Sequence, residues 1–174
     1  MELGLGGRSV NVIEQSLEFI APQKINLRID ASVLKHFSSN VQRRWWDREA
    51  GGQLFARIDG DRWNITLATG PRPTDFRSRF GFRANRQVER AEINRLFQDG
   101  LHYVGDWHTH PENVPHPSQA DIRSISEIVD QSTHTLAGFT MVIVGRAPIP
   151  QGLWISFHGI GGSYSSLAPK QSSH

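Results

Sequence analysis

No cysteine occurs in these 174 residues. That absence excludes a disulfide scaffold, a thiol nucleophile and any metal site built on thiolates, so a bound metal has only imidazoles and carboxylates to draw on. The first twenty residues lack a basic leader and an uninterrupted apolar run, and they carry Glu14 and Glu18. Neither a signal peptide nor a membrane-spanning helix fits there, and a cytoplasmic protein is expected. An excess of charge of one sign is also lacking, with a formal net charge of only +2. The stacked aromatics and named motifs of a nucleic-acid module are missing, so no nucleic-acid partner is expected. What remains is a chain of ordinary composition, long enough to bury one core without staples.

Ile25, Leu27 and Ile29 alternate with polar residues as in a half-buried strand, and Asp30 offers an N-cap for a helix over 31–37. Residues 51–58 and 62–69 read as a hairpin turning on Asp59-Gly60-Asp61. The stretch 70–84 has prolines, charges and no sustained period, and is expected to be a long loop. An amphipathic helix is expected over 85–97, stopped by Gly100, then a short strand leading to Trp107. A second amphipathic helix should start at Ser118 with Ile122, Ile125, Ile128 and Val129 on one face. Residues 139–144 and 153–157 are strand candidates, the first nearly all apolar and hence central. Trp45, Trp46 and Trp63 read as packing aromatics. Six arginines fall between Arg72 and Arg90, as either a solvated surface or one facing a partner.

The chemistry concentrates in Gly105-Asp106-Trp107-His108-Thr109-His110-Pro111. Two imidazoles two residues apart at a strand end project from one face, and Pro111 ends the ladder beyond them. The pair is either a polar strand end or a two-toothed metal clamp. Ser118 and Asp121, three apart at the expected helix start, are explained equally by a capping box. The same positions allow a third ligand: two His and one carboxylate leave a fourth tetrahedral place for water. Glu112, two residues after His110, is the general base that local sequence suggests. Asp106 shares the strand face of His108 and is expected to orient an imidazole as an acceptor.

The spacing His-x-His, seven residues, Ser-x-x-Asp resembles the JAMM signature of the JAB/MPN metalloproteases. Upstream, Glu49-Ala50-Gly51-Gly52-Gln53-Leu54 resembles the family segment in which a Glu precedes a Gly-containing strand. Within the family the chain looks most like bacterial JAB deconjugases encoded beside antiphage nucleotidyltransferases. The resemblance implies an α+β domain with a curved mixed β-sheet packed between helices, the cytidine-deaminase-like architecture. It implies Zn2+ held by His108, His110 and Asp121, with Glu49 rather than Glu112 as proton shuttle and Ser118 as oxyanion donor. The implied reaction is hydrolysis of an amide or isopeptide bond after the extended C-terminal tail of a conjugated protein, an antiphage nucleotidyltransferase being one candidate. The loop from Gly70 to Arg86 is expected to cover that tail, with Arg77 and Arg79 binding substrate. Expected boundaries are an N-terminal extension over 1–22, the metalloprotease domain over 23–162 and a flexible tail over 163–174. The alternatives are a non-catalytic MPN scaffold and a hydrolase of small amides or carrier-protein tails.

Overall fold

A computed structural model describes residues 15–131 and 135–170. In chain order the elements are β1 (Leu17–Ala21), β2 (Ile25–Ile29), α1 (Ala31–Ser39), β3 (Gly51–Asp59), β4 (Arg62–Ala68), β5 (Phe76–Ser78), β6 (Gly81–Arg83), α2 (Arg86–Gln98), β7 (His102–Thr109), α3 (Gln119–Gln131), β8 (Gly138–Val144), β9 (Leu153–Gly159) and β10 (Tyr164–Ser166). Eight strands form one sheet in the order β1-β2-β4-β3-β7-β8-β9-β10, and β5 pairs with β6 as a separate hairpin. The pairs β2–β4 and β7–β8 are parallel and the rest antiparallel. This is the expected α+β domain with a curved mixed sheet.

Side-chain alternation sorts the core onto the two faces of the sheet. On one face α1 inserts Val33, Leu34 and Phe37 among Leu27, Ile65, Trp107, Val142 and Val144. On the other, Ile125 and Val129 of α3 pack on Phe139, Met141 and Ile143. β8 therefore contributes alternate residues to both layers and is buried throughout, which is why it reads as an unbroken apolar run. The β7–α3–β8 crossover matters most for function. It carries the chain from the carboxyl end of β7 to the N-terminus of α3, where ligands collect in open sheets with parallel pairs.

Gly105 makes the centre of the sheet possible. Its φ is +142°, and a Cβ there would lie 1.8 Å from Thr140 O, so only glycine lets β7 lie against β8 here, beside the register shift between β3 and β7. The sheet then curls until its ends approach. Trp63 of β4 meets Phe157 of β9 at 5.9 Å between ring centroids, and Lys170 N donates to Glu18 O at 2.8 Å.

The sheet reaches beyond residues 23–162 at both ends: β1 buries Phe19 and Ala21, and β10 pairs with β9. Two expectations are corrected. The 70–84 stretch is partly ordered as the β5–β6 hairpin. Each of its strands is only three residues long, too short to show a period. Trp63 is buried as expected, but Trp45 and Trp46 are not. Residues 1–14 and 171–174 of the two terminal segments lie outside the described residues.

Candidate metal centre

Alternation along β7 sends Trp107 and Thr109 to the α1 face and Asp106 and His108 to the other, with His110 just past the strand. Trp107 Nε1 donates to Thr69 O at 2.9 Å and its ring packs on Phe37, so the strand bearing the imidazoles is fixed from behind. Thr109 Oγ1 donates to Gln42 Oε1 and accepts from Ala50 N, both at 3.0 Å. Thr109 N also donates to Ala50 O at 2.8 Å. Since Gly51 pairs with His108, this lattice sets Glu49 across from His110.

The three groups expected to bind metal do converge. His108 Nε2 and His110 Nε2 lie 3.1 Å apart, and Asp121 approaches them with Oδ1 at 3.3 Å and Oδ2 at 3.5 Å respectively. Ligands at about 2.0–2.1 Å from a tetrahedral ion stand roughly 3.3–3.4 Å from one another. The observed spacings match those edges, and the three residues are the group of His and acid side chains among the described residues able to hold a metal. A divalent cation also fits the donor chemistry. Two imidazole nitrogens facing each other at 3.1 Å need either a proton or a cation between them.

Asp121 has two duties. Its Oδ2 accepts from Ser118 N at 2.6 Å while Asp121 N donates to Ser118 Oγ at 3.1 Å, a reciprocal capping box at the start of α3. The capping box and the approach of the carboxylate to both imidazoles therefore coexist, and the cap is what aims the carboxylate at them. Burial alone would raise the Asp121 carboxyl, yet hydrogen bonds from His108, His110 and Ser118 hold it well below the usual carboxylate range. His110 moves the other way. Burial disfavours its charged form, but Asp121, Glu49 and Glu112 outweigh that and raise it.

Glu49 is 7% exposed, and burial pushes its carboxyl up to about 7. It lines, with His108, His110, Ser118 and Asp121, a cavity of about 520 Å³ whose far wall is Phe80, Gly81 and Phe82 of the hairpin. Glu112 also reaches this cavity, but it is exposed and its Oε2 accepts from His116 N at 3.2 Å, closing the proline-rich loop. A carboxyl poised near neutrality inside the cavity is better suited to proton transfer than a solvated one.

Arg77 is half-buried and held to the backbone. Its Nε donates to Glu49 O at 2.6 Å and its Nη2 to Arg48 O at 3.2 Å, while Glu49 N donates to Ser78 O at 2.7 Å. The guanidinium thus braces the backbone that carries Glu49. Replacement of Arg77 by Ala is expected to lower kcat about 10-fold or more with KM little changed, on peptide and protein substrates alike. Equal loss on both substrates supports a brace. A rise in KM confined to the protein substrate would return Arg77 to substrate binding. Arg79 is exposed, its guanidinium 5.0 Å from the Phe80 ring. Asp106 shares the His108 face, but its carboxylate accepts from Tyr103 Oη at 2.9 Å, and among the described residues no hydrogen bond is found to an imidazole. Burial and nearby Glu89 raise Asp106 to about 7.

The other arginines divide in the same way. Arg72 is nearly buried and pairs with Gln53, Thr69 and Glu92, and Arg86 pairs with Glu89. Sequence reasoning misses Gln42, 2% exposed, which joins β7 to the 43–48 segment and the hairpin. Nothing local marks a glutamine for such a role.

The family model described as prokaryotic homologs of the JAB domain matches residues 30–156. The chain belongs to this family. It is 34% identical over 137 residues to an Escherichia coli (strain TW11681) protein named CD-NTase/cGAS isopeptidase, covering 76% of this chain and 85% of that one. A Pseudomonas aeruginosa (strain BWHPSA011 / Pa011) protein of the same name is 37% identical over 123 residues, covering 69% and 77%. A probable metalloprotease of Sinorhizobium fredii is 33% identical over 91 residues, covering 49% and 56%. Among solved structures, a Desulfitobacterium hafniense protein matches with TM-score 0.56 at 18% identity, covering 82% and 88%, and supports the JAB fold. No described helix is long and apolar enough to cross a membrane.

Proposed function

We propose that this chain is a zinc metallopeptidase that hydrolyses the amide or isopeptide bond joining the C-terminus of a CD-NTase-type protein to an amine. The observation that carries the reading is the convergence of His108, His110 and Asp121 at tetrahedral-edge spacing beside a buried Glu49 in one cavity. The relatives named isopeptidase support the substrate class.

When bound, zinc supplies a Lewis acid and brings the pKa of water to about 7. The family resemblance, supported by the cavity that Glu49 and Ser118 line, suggests the protein's own part. Glu49 takes the proton of the attacking water and delivers it to the departing amine, which cannot leave unprotonated. Ser118 Oγ, at the N-terminus of α3, stabilises the oxyanion that develops on the former carbonyl. Its replacement by Ala is expected to cost about 10²–10³ in rate and about 0.5–2 kcal/mol of stability through the lost cap. Metal content should stay unchanged. A rate within twofold of the parent would remove Ser118 from the chemistry.

The strand β6 lines the cavity, and an extended tail laid along it would be held by main-chain hydrogen bonds with its last carbonyl toward His108, His110 and Asp121, the residues that would hold the metal. The test is incubation with a CD-NTase joined through its C-terminal carbonyl to a lysine, followed by intact-mass analysis. The expected products are the protein with a free carboxylate and the lysine with a free ε-amine. An intact conjugate alongside cleaved small amides would assign the chain to small substrates, and cleavage of neither by metal-loaded protein would make it a scaffold.

A further inference from the structure

Trp45 and Trp46, read from the sequence as packing aromatics, are 70% and 56% exposed. The turn that holds them is firmly closed. Arg44 N donates to Asp47 Oδ2 at 2.8 Å and Asp47 N to Arg44 O at 3.1 Å, so the two indoles occupy its central positions. Their rings meet edge to face at 5.4 Å, and the Arg44 guanidinium stands 5.6 Å from the Trp46 ring. Gln42 Nε2 donates both to Asp47 O at 3.2 Å and to Arg79 O at 3.0 Å, tying this turn to the β5–β6 hairpin. The hairpin adds Phe76 and Phe80, 57% and 74% exposed, each facing an arginine: Arg83 at 5.7 Å and Arg79 at 5.0 Å.

Four large aromatics in water, interleaved with arginines and mounted on two tied segments, are not explained by the fold. Burying each ring against a partner is favourable, and Trp and Arg dominate the energetics of protein interfaces. We propose that this surface docks the folded body of the conjugated protein, through an acidic patch on that protein flanked by apolar side chains. The inference rests on the isopeptidase reading and adds to it a second contact, distinct from the tail in the cavity.

Three observations favour this occupant. Phe80 belongs both to the surface and to the wall of the cavity, and Arg48-Glu49 follow the turn directly. A protein seated on the turn and hairpin therefore borders the cavity that holds His108, His110 and Asp121. The charge is of one sign: Arg43, Arg44, Arg48, Arg79 and Arg83 are exposed, and the carboxylate of Asp47 is already bonded within the turn. A second copy of the chain would meet like charge with like charge. A nucleic acid would satisfy the arginines but offers no amide to the adjoining site.

The experiment compares the Trp45→Ala/Trp46→Ala double variant and Arg79→Glu with the parent on two substrates bearing the same lysine linkage. One is the full-length CD-NTase conjugate and the other a peptide of its last ten or so residues. Both sets of substitutions are on exposed side chains, and circular dichroism and metal content check that the variants are intact. The double variant is expected to raise KM for the conjugate at least about 10-fold, equivalent to roughly 1.4 kcal/mol, and to leave the peptide unchanged. Arg79→Glu is expected to act in the same direction, with an effect that shrinks as salt rises. Unchanged parameters on the conjugate would overturn the proposal. Equal losses on both substrates would also overturn it, making the turn a support for Glu49. Inhibition of the parent by single-stranded nucleic acid, relieved in the double variant, would give the surface to that ligand instead. A dimer of the parent lost in the double variant would give it to a second copy. If the parent cleaves neither substrate, the isopeptidase reading fails on its own. Titration of unconjugated CD-NTase then decides the surface: binding weakened by the double variant sustains it, and no binding overturns it.

Discussion

Alanine at His108, His110 or Asp121 is expected to bring hydrolysis down by at least roughly 10³-fold and to strip the protein of metal. Each residue supplies one donor, and the three donors stand 3.1–3.5 Å apart around a common point. Two remaining donors cannot hold the ion or fix the attacking water. The variants should nevertheless differ in stability. His108→Ala and His110→Ala remove a polar pair at a strand end. Asp121→Ala also removes the acceptor of Ser118 N, opening half of the capping box, so it should lose about 0.5–2 kcal/mol more in the metal-free state. Metal analysis by mass spectrometry together with chemical denaturation checks both parts. Normal metal content in all three variants would dismiss the ligand assignment.

Glu49→Gln is expected to retain metal and lose nearly all turnover, a loss of about 10²–10⁴ for a proton-transfer group. Glu112→Gln should keep a substantial part of the activity, because Glu112 is exposed and bonded to its own loop at His116 N. The pH dependence has a definite sign. Glu49 must be ionised to accept a proton, so the rate rises with pH as its carboxyl ionises. Burial raises that group from 4.5 to about 7, and a bound cation beside it favours the carboxylate. The acid limb should therefore have its midpoint between these two values. Without metal the linkage runs on stability. A carboxyl whose pKa is raised by folding contributes stability fully present below 4.5 and lost as pH rises through about 7. Metal-free Glu49→Gln should not show that loss. If Glu112→Gln is the inactive variant and Glu49→Gln the active one, the upstream motif has been assigned wrongly.

How much of the site is legible in the sequence depends on the length scale of each signal. His108 and His110 stand out because strand alternation alone puts residues two apart on one face, and Pro111 marks where the strand must stop. Ser118 and Asp121 are legible as a cap, and the cap is the device that aims the Asp121 carboxylate at the two imidazoles. Glu49 is not legible from its neighbours. Asp47-Arg48-Glu49 reads as a solvated corner, and its burial is produced by partners far along the chain: Thr109 on Ala50, and Ser78 and Arg77 on Glu49 itself. Only the resemblance to a family pattern points there. The backbone contacts of Arg77 are hidden for the same reason, since a guanidinium in a loop looks solvated until its carbonyl partners are known. Trp45 and Trp46 show the reverse error. Hydrophobicity predicts burial, but a turn closed by Arg44 and Asp47 keeps both indoles outside. The sheet's middle strands follow from apolar runs, whereas β1 and β10 at its edges are short and mixed in pattern, so the expected boundaries fall inside the sheet's reach.

The measurement that bears most directly on the metal-dependent chemistry is a zinc titration of metal-stripped protein, with the initial rate of lysine-conjugate hydrolysis read at each addition. The expected result is no rate without metal, a linear rise to a plateau at about one equivalent, and reversal by chelator, with His108→Ala flat throughout. Full activity in the stripped protein, or a plateau reached equally by His108→Ala, would contradict it.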